Sequence, residues 1–183
     1  MYISVFRAPD FPNLAYMRAH EEVAALLKQS GLGHAVLRPI GFFSAYASFI
    51  EMAKKGPLPE MNGGAAKTNP IHDGDLAQVC ADGIEGKTGD IDAGGPEVLT
   101  RRQIGELAFA AAGKQPRFRQ TPPRLIGMAS KLMKPFHPRI ADLAAFLGVI
   151  MQGDFVAPMR GQRTLGAYFN EVGGKCAVAS VAR

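Results

Sequence analysis

AYMRAHEEVAALLKQSGLGHAVLRP, residues 15–39, decides the reading of the fold. Leu14, Met17, Val23, Leu26 and Leu27 recur at helical spacing between Leu14 and Ser30, and Gly31 supplies the stop. HAVLRP at 34–39 is a short apolar run ended by proline, the pattern of a buried strand. Upstream, YISVF at 2–6 is β-rich and bounded by RAPDFP, which makes it a strand followed by a loop. Two strands joined by a helix of 17 residues form a βαβ unit, and hence a parallel pair with a right-handed crossover.

Working outward, IGFFSAYASFIEMAKKG at 40–56 is an aromatic segment turning helical, closed by Gly56 and Pro57. PLPEMNGGAAK at 57–67 reads as loop. Residues 69–86 start extended and become helical, with Asp73 or Asp75 as N-cap and Gly83 or Gly86 near the end. GDIDAGG at 89–95 is a short strand. Thr100 and Gln103 make a capping box for a helix that reaches Ala112 and stops at Gly113. PRFRQTP at 116–122 alternates like a strand with one wet face, and two apolar helices follow over 123–134 and 138–153. GGKCAVASVAR at 173–183 has small residues and no period and reads as a disordered tail.

This order is α/β: an incomplete doubly wound, Rossmann-like parallel sheet over residues 1–100, a helical cap over 101–172 and the tail. With 183 residues, 47% of them apolar, the chain can bury a substantial core. Its longest strongly apolar run, LAAFLGVIM at 143–151, is about half of what a membrane-spanning helix needs. MYISVF lacks the layout of a signal peptide, so a cytoplasmic location is expected. The net charge of +5 is uneven, because residues 101–139 hold nine Lys/Arg and one acid, Glu106. A basic block can meet nucleic acid, an anionic membrane or an acidic partner, but no nucleic-acid motif accompanies it and five prolines break it. A solvated face is expected, with no nucleic-acid partner.

Cys80 and Cys176 form neither a disulfide framework nor a zinc site, and His34 and His137 stand alone, so no metal is expected. No Ser-His-Asp or Cys-His arrangement and no nucleophile elbow is visible. No Gly-rich phosphate-binding turn lies between a strand and a helix: Gly31-Leu-Gly33 follows a helix, and Gly94-Gly95 runs into Pro96.

Three segments, SGLGHAVLRPIGFF, NPIHDGDLA and GGPEVLTRRQIGELAFAAAGK, in that order, resemble the C-terminal half of atypical short-chain dehydrogenase/reductases of the NmrA-like and sugar-epimerase-like kind. QGDFVAPMRGQRTLGAYF resembles the tail of some members, so the resemblance covers residues 2–172. It implies an NAD- or NADP-dependent oxidoreductase or isomerase with a small-molecule substrate. It also implies that the first four strands and the phosphate-binding loop, about 100 residues, are absent, leaving this chain inactive by itself. The alternative is a non-catalytic NAD(P)-sensing regulatory or structural protein with a regulatory protein partner. Exposed apolar helix faces and a bare strand edge also predict homo-oligomers.

By the same resemblance, Tyr16-Met-Arg-Ala-His20 falls where the family carries its catalytic Tyr-x-x-x-Lys, and the spacing puts both side chains on one helix face. A free phenol with a pKa near ~10 needs a neighbouring cation to work at neutral pH, and histidine is mostly neutral there. Tyr16 and His20 are therefore a catalytic pair with weakened activation, or packing residues of a helix surface. Arg38, Pro39, Gly41, Phe42 and Phe43 would line the nicotinamide end of the cofactor pocket. The competing readings are core packing for the two phenylalanines and a structural ion pair for Arg38. His72 and Asp75 match the family's His-x-x-Asp, with Gly74 where many members have Asp, and His72 would face the substrate cleft.

Overall fold

The computed structural model describes residues 1–84 and 89–181. Three parallel strands in the order β1-β2-β5 form the central sheet: β1 (Tyr2–Ile3), β2 (Ala35–Pro39) and β5 (Gly89–Ala93). The expected βαβ unit is present, with Tyr2 opposite Val36 and Ile3 opposite Leu37 across the β1–β2 pair. Hydrogen bonds from Ser4 N to Leu37 O and from Phe6 N to Pro39 O carry the pairing on past Ile3. All five residues of β2 are buried, as a strand covered on both faces requires. On the other side of β2, its partners run from Gly89 opposite Ala35 to Ala93 opposite Pro39.

Helix α1 (Ala15–Gln29) connects β1 to β2. It buries Met17 and Ala24, while Val23 and Leu26, expected on its inner face, are exposed. The buried phase is set by positions 17 and 24, two turns apart, and the larger side chains fall outside it. Helix α4 (Asp73–Ile84) packs Leu76 and Val79 against Leu37, Ile71 and Ile91. Its start differs from expectation. Gly74 N donates to His72 Nδ1 at 2.9 Å, so the imidazole caps the helix. Asp73 accepts instead from Ser44 N and Oγ, and Asp75 from Gln162 N and Arg163 N. Of the two candidate glycine stops, Gly86 lies outside the described residues.

A second core joins α2 (Phe43–Tyr46), α3 (Ser48–Lys55), α5 (Arg101–Ala111) and α8 (Leu165–Val181) through Phe43, Ile50, Ile104, Phe109, Leu165 and Phe169. Both bonds of the Thr100–Gln103 capping box are made, at 3.1 and 2.8 Å. The segment expected to be loop at 57–67 contains β3 (Leu58–Glu60) and part of β4 (Lys67–Thr68). They pair with β7 (Phe118–Gln120) and β6 (Leu99–Thr100), respectively. These strands are too short to show a period, and their pairing comes from residues far along the chain.

The cap is a hairpin of α6 (Pro123–Met133) and α7 (Pro138–Gln152), pinned where buried Ser130 Oγ donates to Ala141 O at 2.9 Å. Both helices have proline at the first position, which leaves no helical bond broken. Leu125, Met128, Leu132, Phe136 and Ile140 are exposed along this hairpin. Helix α8 continues to Val181 through most of the segment expected to be a disordered tail, and residues 182–183 lie outside the described ones.

Candidate functional site

A cavity of about 380 Å³ lies at the carboxyl ends of β1 and β2, between the sheet and α7. Parallel strands end here with their last residues facing open space, where open α/β sheets bind ligands. The sheet side contributes Ile3 to Val5 and Pro39 to Phe42, and α7 contributes Phe146, Leu147, Ile150 and Met151. Ala45, Tyr46, Phe49 and Arg101 add to the wall, which is otherwise mainly apolar.

Tyr16 and His20 both line this cavity. Their rings meet edge to face with centroids 4.8 Å apart, and Phe146 of α7 packs on Tyr16 at 4.7 Å. Tyr16 is 42% exposed, and among the described residues its hydroxyl has no hydrogen-bond partner. His20 Nδ1 is 2.7 Å from Tyr2 Oη. With the phenol as donor, Nδ1 accepts and Nε2 carries the proton. Burial holds the His20 imidazole below its ordinary pKa, against the pull of Glu21, so the ring is neutral at pH 7. Burial raises the Tyr2 phenol, helped by Tyr16 and Glu21. The imidazole beside Tyr16 is thus neutral and brings it no positive charge.

Pro39, Gly41 and Phe42 share the cavity wall with this pair, whereas Arg38, Phe43 and His72 do not. Arg38, 5% exposed, reaches Glu21 at 3.0 Å and Asp90 at 2.7 Å, tying α1 to the sheet. Burial works against its charge, but the bonds from Glu21 and Asp90 raise its pKa overall. Phe43 is buried in the second core. His72 packs against Phe43 and Tyr168 while capping α4.

The sequence reading missed Tyr2, Tyr46, Arg101 and Phe146. Arg101 stood out only as part of a capping box and a basic block, and Phe146 as one more apolar residue of a helix. Gly94 and Gly95 serve packing: a Cβ on Gly95 would lie 1.9 Å from Pro70 O, and one on Gly94 2.3 Å from Asn69 Nδ2. Their amides donate to Pro158 O and Asn69 O, so neither is free for a phosphate. Among the described residues no cluster of three His, Cys, Asp or Glu is arranged to hold a metal ion, and no helix is long and apolar enough to cross a membrane.

No protein-family model matches the chain. The chain is similar to an NADPH-dependent quinone oxidoreductase of Escherichia coli solved with NADPH, at a TM-score of 0.70 and 19% identity, over 93% of this chain and 64% of that one. It is also similar to a nucleoside-diphosphate-sugar epimerase of Staphylococcus aureus, at a TM-score of 0.63 and 12% identity, over 92% of this chain and 63% of that one. The chain has the fold of an atypical short-chain dehydrogenase/reductase. By sequence, the chain is similar to a chloroplastic divinyl chlorophyllide a 8-vinyl-reductase of Cucumis sativus, 31% identical over 150 residues, which are 74% of this chain and 36% of that one. The corresponding protein of Oryza sativa subsp. indica is 33% identical over 143 residues, 72% of this chain and 35% of that one. The chain therefore spans about a third of the length of these relatives.

Proposed function

We propose that the chain forms the substrate side of an NAD(P)-dependent reductase acting on a large, apolar, unsaturated molecule. The observation that carries this reading is the apolar cavity of about 380 Å³ at the carboxyl ends of two parallel strands, with a phenol hydroxyl on its wall. The likeness to 8-vinyl-reductases narrows the substrate class to a conjugated ring system bearing a vinyl group, the kind named for those relatives. A cytoplasmic location belongs to the same proposal, although the relatives are chloroplastic.

The cofactor fits this chain at one end. Pro39 to Phe42 present an apolar edge suited to the nicotinamide ring, and no run of unpaired backbone amides stands ready for the pyrophosphate in any strand-to-helix turn read from the sequence. NAD(P) supplies a hydride when bound. Phe42, Phe146 and Leu147 exclude water, and Tyr16 holds a proton at Oη for transfer to the reacting carbon. His20 and Phe146 orient the Tyr16 ring.

Binding of divinyl chlorophyllide a to the chain, followed as a shift of the pigment's absorption, tests the substrate side. Ala45→Trp, which fills the cavity from its wall, is expected to weaken binding about tenfold. Unchanged binding would refute the location. In an NADPH-oxidation assay, Tyr16→Phe is expected to lower turnover about 10²-fold; full activity would remove its assigned role. A second reading, a non-catalytic NAD(P) sensor, is favoured by the neutral His20 beside Tyr16. Saturable NADPH binding with no turnover would select it.

A further inference from the structure

The cavity wall has one charged group with no counter-charge. Arg101 is 8% exposed and lines the cavity at the start of α5. Its Nη1 donates to Tyr46 Oη at 2.8 Å and its Nη2 to Ile150 O at 2.6 Å, while the buried Nε has no partner. Among the described residues no carboxylate lies within ion-pair distance of it. Arg38, buried to a similar degree, has two carboxylates. A guanidinium keeps its charge at every pH a protein meets, and burying it without an anion is costly. Tyr46, which also lines the cavity, uses its oxygen to accept from Arg101 and so keeps its own O–H free to donate.

We propose that Arg101 and Tyr46 bind a carboxylate on the substrate, so that this site takes an apolar acid rather than a neutral apolar molecule. The inference rests on the cavity's being the substrate site and adds the chemical class of its ligand. One guanidinium matches the single charge and planar edge of a carboxylate. A phosphate dianion would leave a negative charge uncompensated against Phe42, Phe49 and Phe146.

The test is the affinity of the chain for 1-pyrenebutyrate and for its methyl ester, measured by probe fluorescence. The wild type is expected to bind the acid about tenfold tighter than the ester, the effect of a charge-assisted hydrogen bond. Arg101→Gln is expected to abolish that preference and leave ester binding unchanged. Equal affinities in the wild type, or a preference that survives Arg101→Gln, would overturn the anchor while ester binding left the cavity standing. If neither probe binds, the cavity reading and the anchor fall together. Should Arg101→Gln fail to fold, as judged by circular dichroism, Tyr46→Phe serves instead. It is expected to weaken acid binding about threefold with no effect on the ester, and an equal effect on both, or none, would overturn the proposal.

Discussion

Asn69 is fully buried and fastens the strand-like stretch at 155–159 to the end of the central sheet. Its Nδ2 donates to Ala157 O at 2.8 Å and to Gly95 O at 3.1 Å, and its Oδ1 accepts from Ala157 N at 2.8 Å. Asn69→Ala removes all three bonds and orphans one buried N–H and two carbonyls. An orphaned buried group costs ~1–3 kcal/mol, with carbonyls at the low end, so the expected loss is about 3 kcal/mol. For a domain of this length that lowers Tm by about 6–12 °C. Asn69→Asp is expected to be worse at pH 7, because it keeps the acceptor for Ala157 N but turns a carboxylate oxygen onto two carbonyl oxygens. Acid should partly rescue it, since a protonated carboxyl regains one donor. Urea unfolding of both variants at pH 7 and pH 4.5 checks the magnitude and the order. A loss under about 1 kcal/mol for Asn69→Ala, or an Asp variant milder than Ala at pH 7, would refute the account.

Two further substitutions probe the charged ties. Burial pushes the Asp75 carboxyl up, but the amides and guanidinium of Arg163, with the Gln162 amide, bring it below its ordinary value overall. A depressed folded pKa contributes stability that is present above the unfolded value of ~3.9 and lost as pH falls through the folded value. Asp75→Asn should therefore flatten the stability–pH curve below about pH 4, measured by denaturant midpoints; an unchanged curve would contradict it. Arg38→Met takes the guanidinium from Glu21 and Asp90, both partly solvated, and leaves Glu21 the Ser4 hydroxyl and Asp90 its pair with Lys28. The expected cost is about 2–3 kcal/mol, below that of a fully buried pair, and it should shrink with added salt; a neutral substitution would show that the network contributes nothing net.

The β1–β2 pair was legible because β2 opens on the apolar run Ala35-Val36-Leu37 and is ended by Pro39, and because the helix before it supplies a crossover of the right length. The parallel β1–β2 pairing follows from those two facts; the place of β5 beside β2 does not. The small sheets at 58–60 and 67–68 were not legible, because two or three residues carry no period and their partners lie as many as 60 positions away. Asp75 gave the most misleading signal. An acid at the start of a helix reads as a cap, yet its oxygens are taken by a loop 87 and 88 residues further on, which leaves the capping to His72.

The site divides along the same line. A four-residue spacing on a helix is local geometry, so Tyr16 and His20 could be paired from sequence. Their chemistry could not, because it depends on what surrounds the imidazole. Tyr2 reaches His20 only because β1 pairs with β2 and α1 lies back across them. Phe146 reaches Tyr16 only because the cap folds down on the sheet. Burial keeps the imidazole neutral, so it brings no positive charge to the phenol beside it. The cationic group on the wall is Arg101, held from the other side by Tyr46 and the Ile150 carbonyl. Arg101 thus brings a charge to a wall that is otherwise mainly apolar.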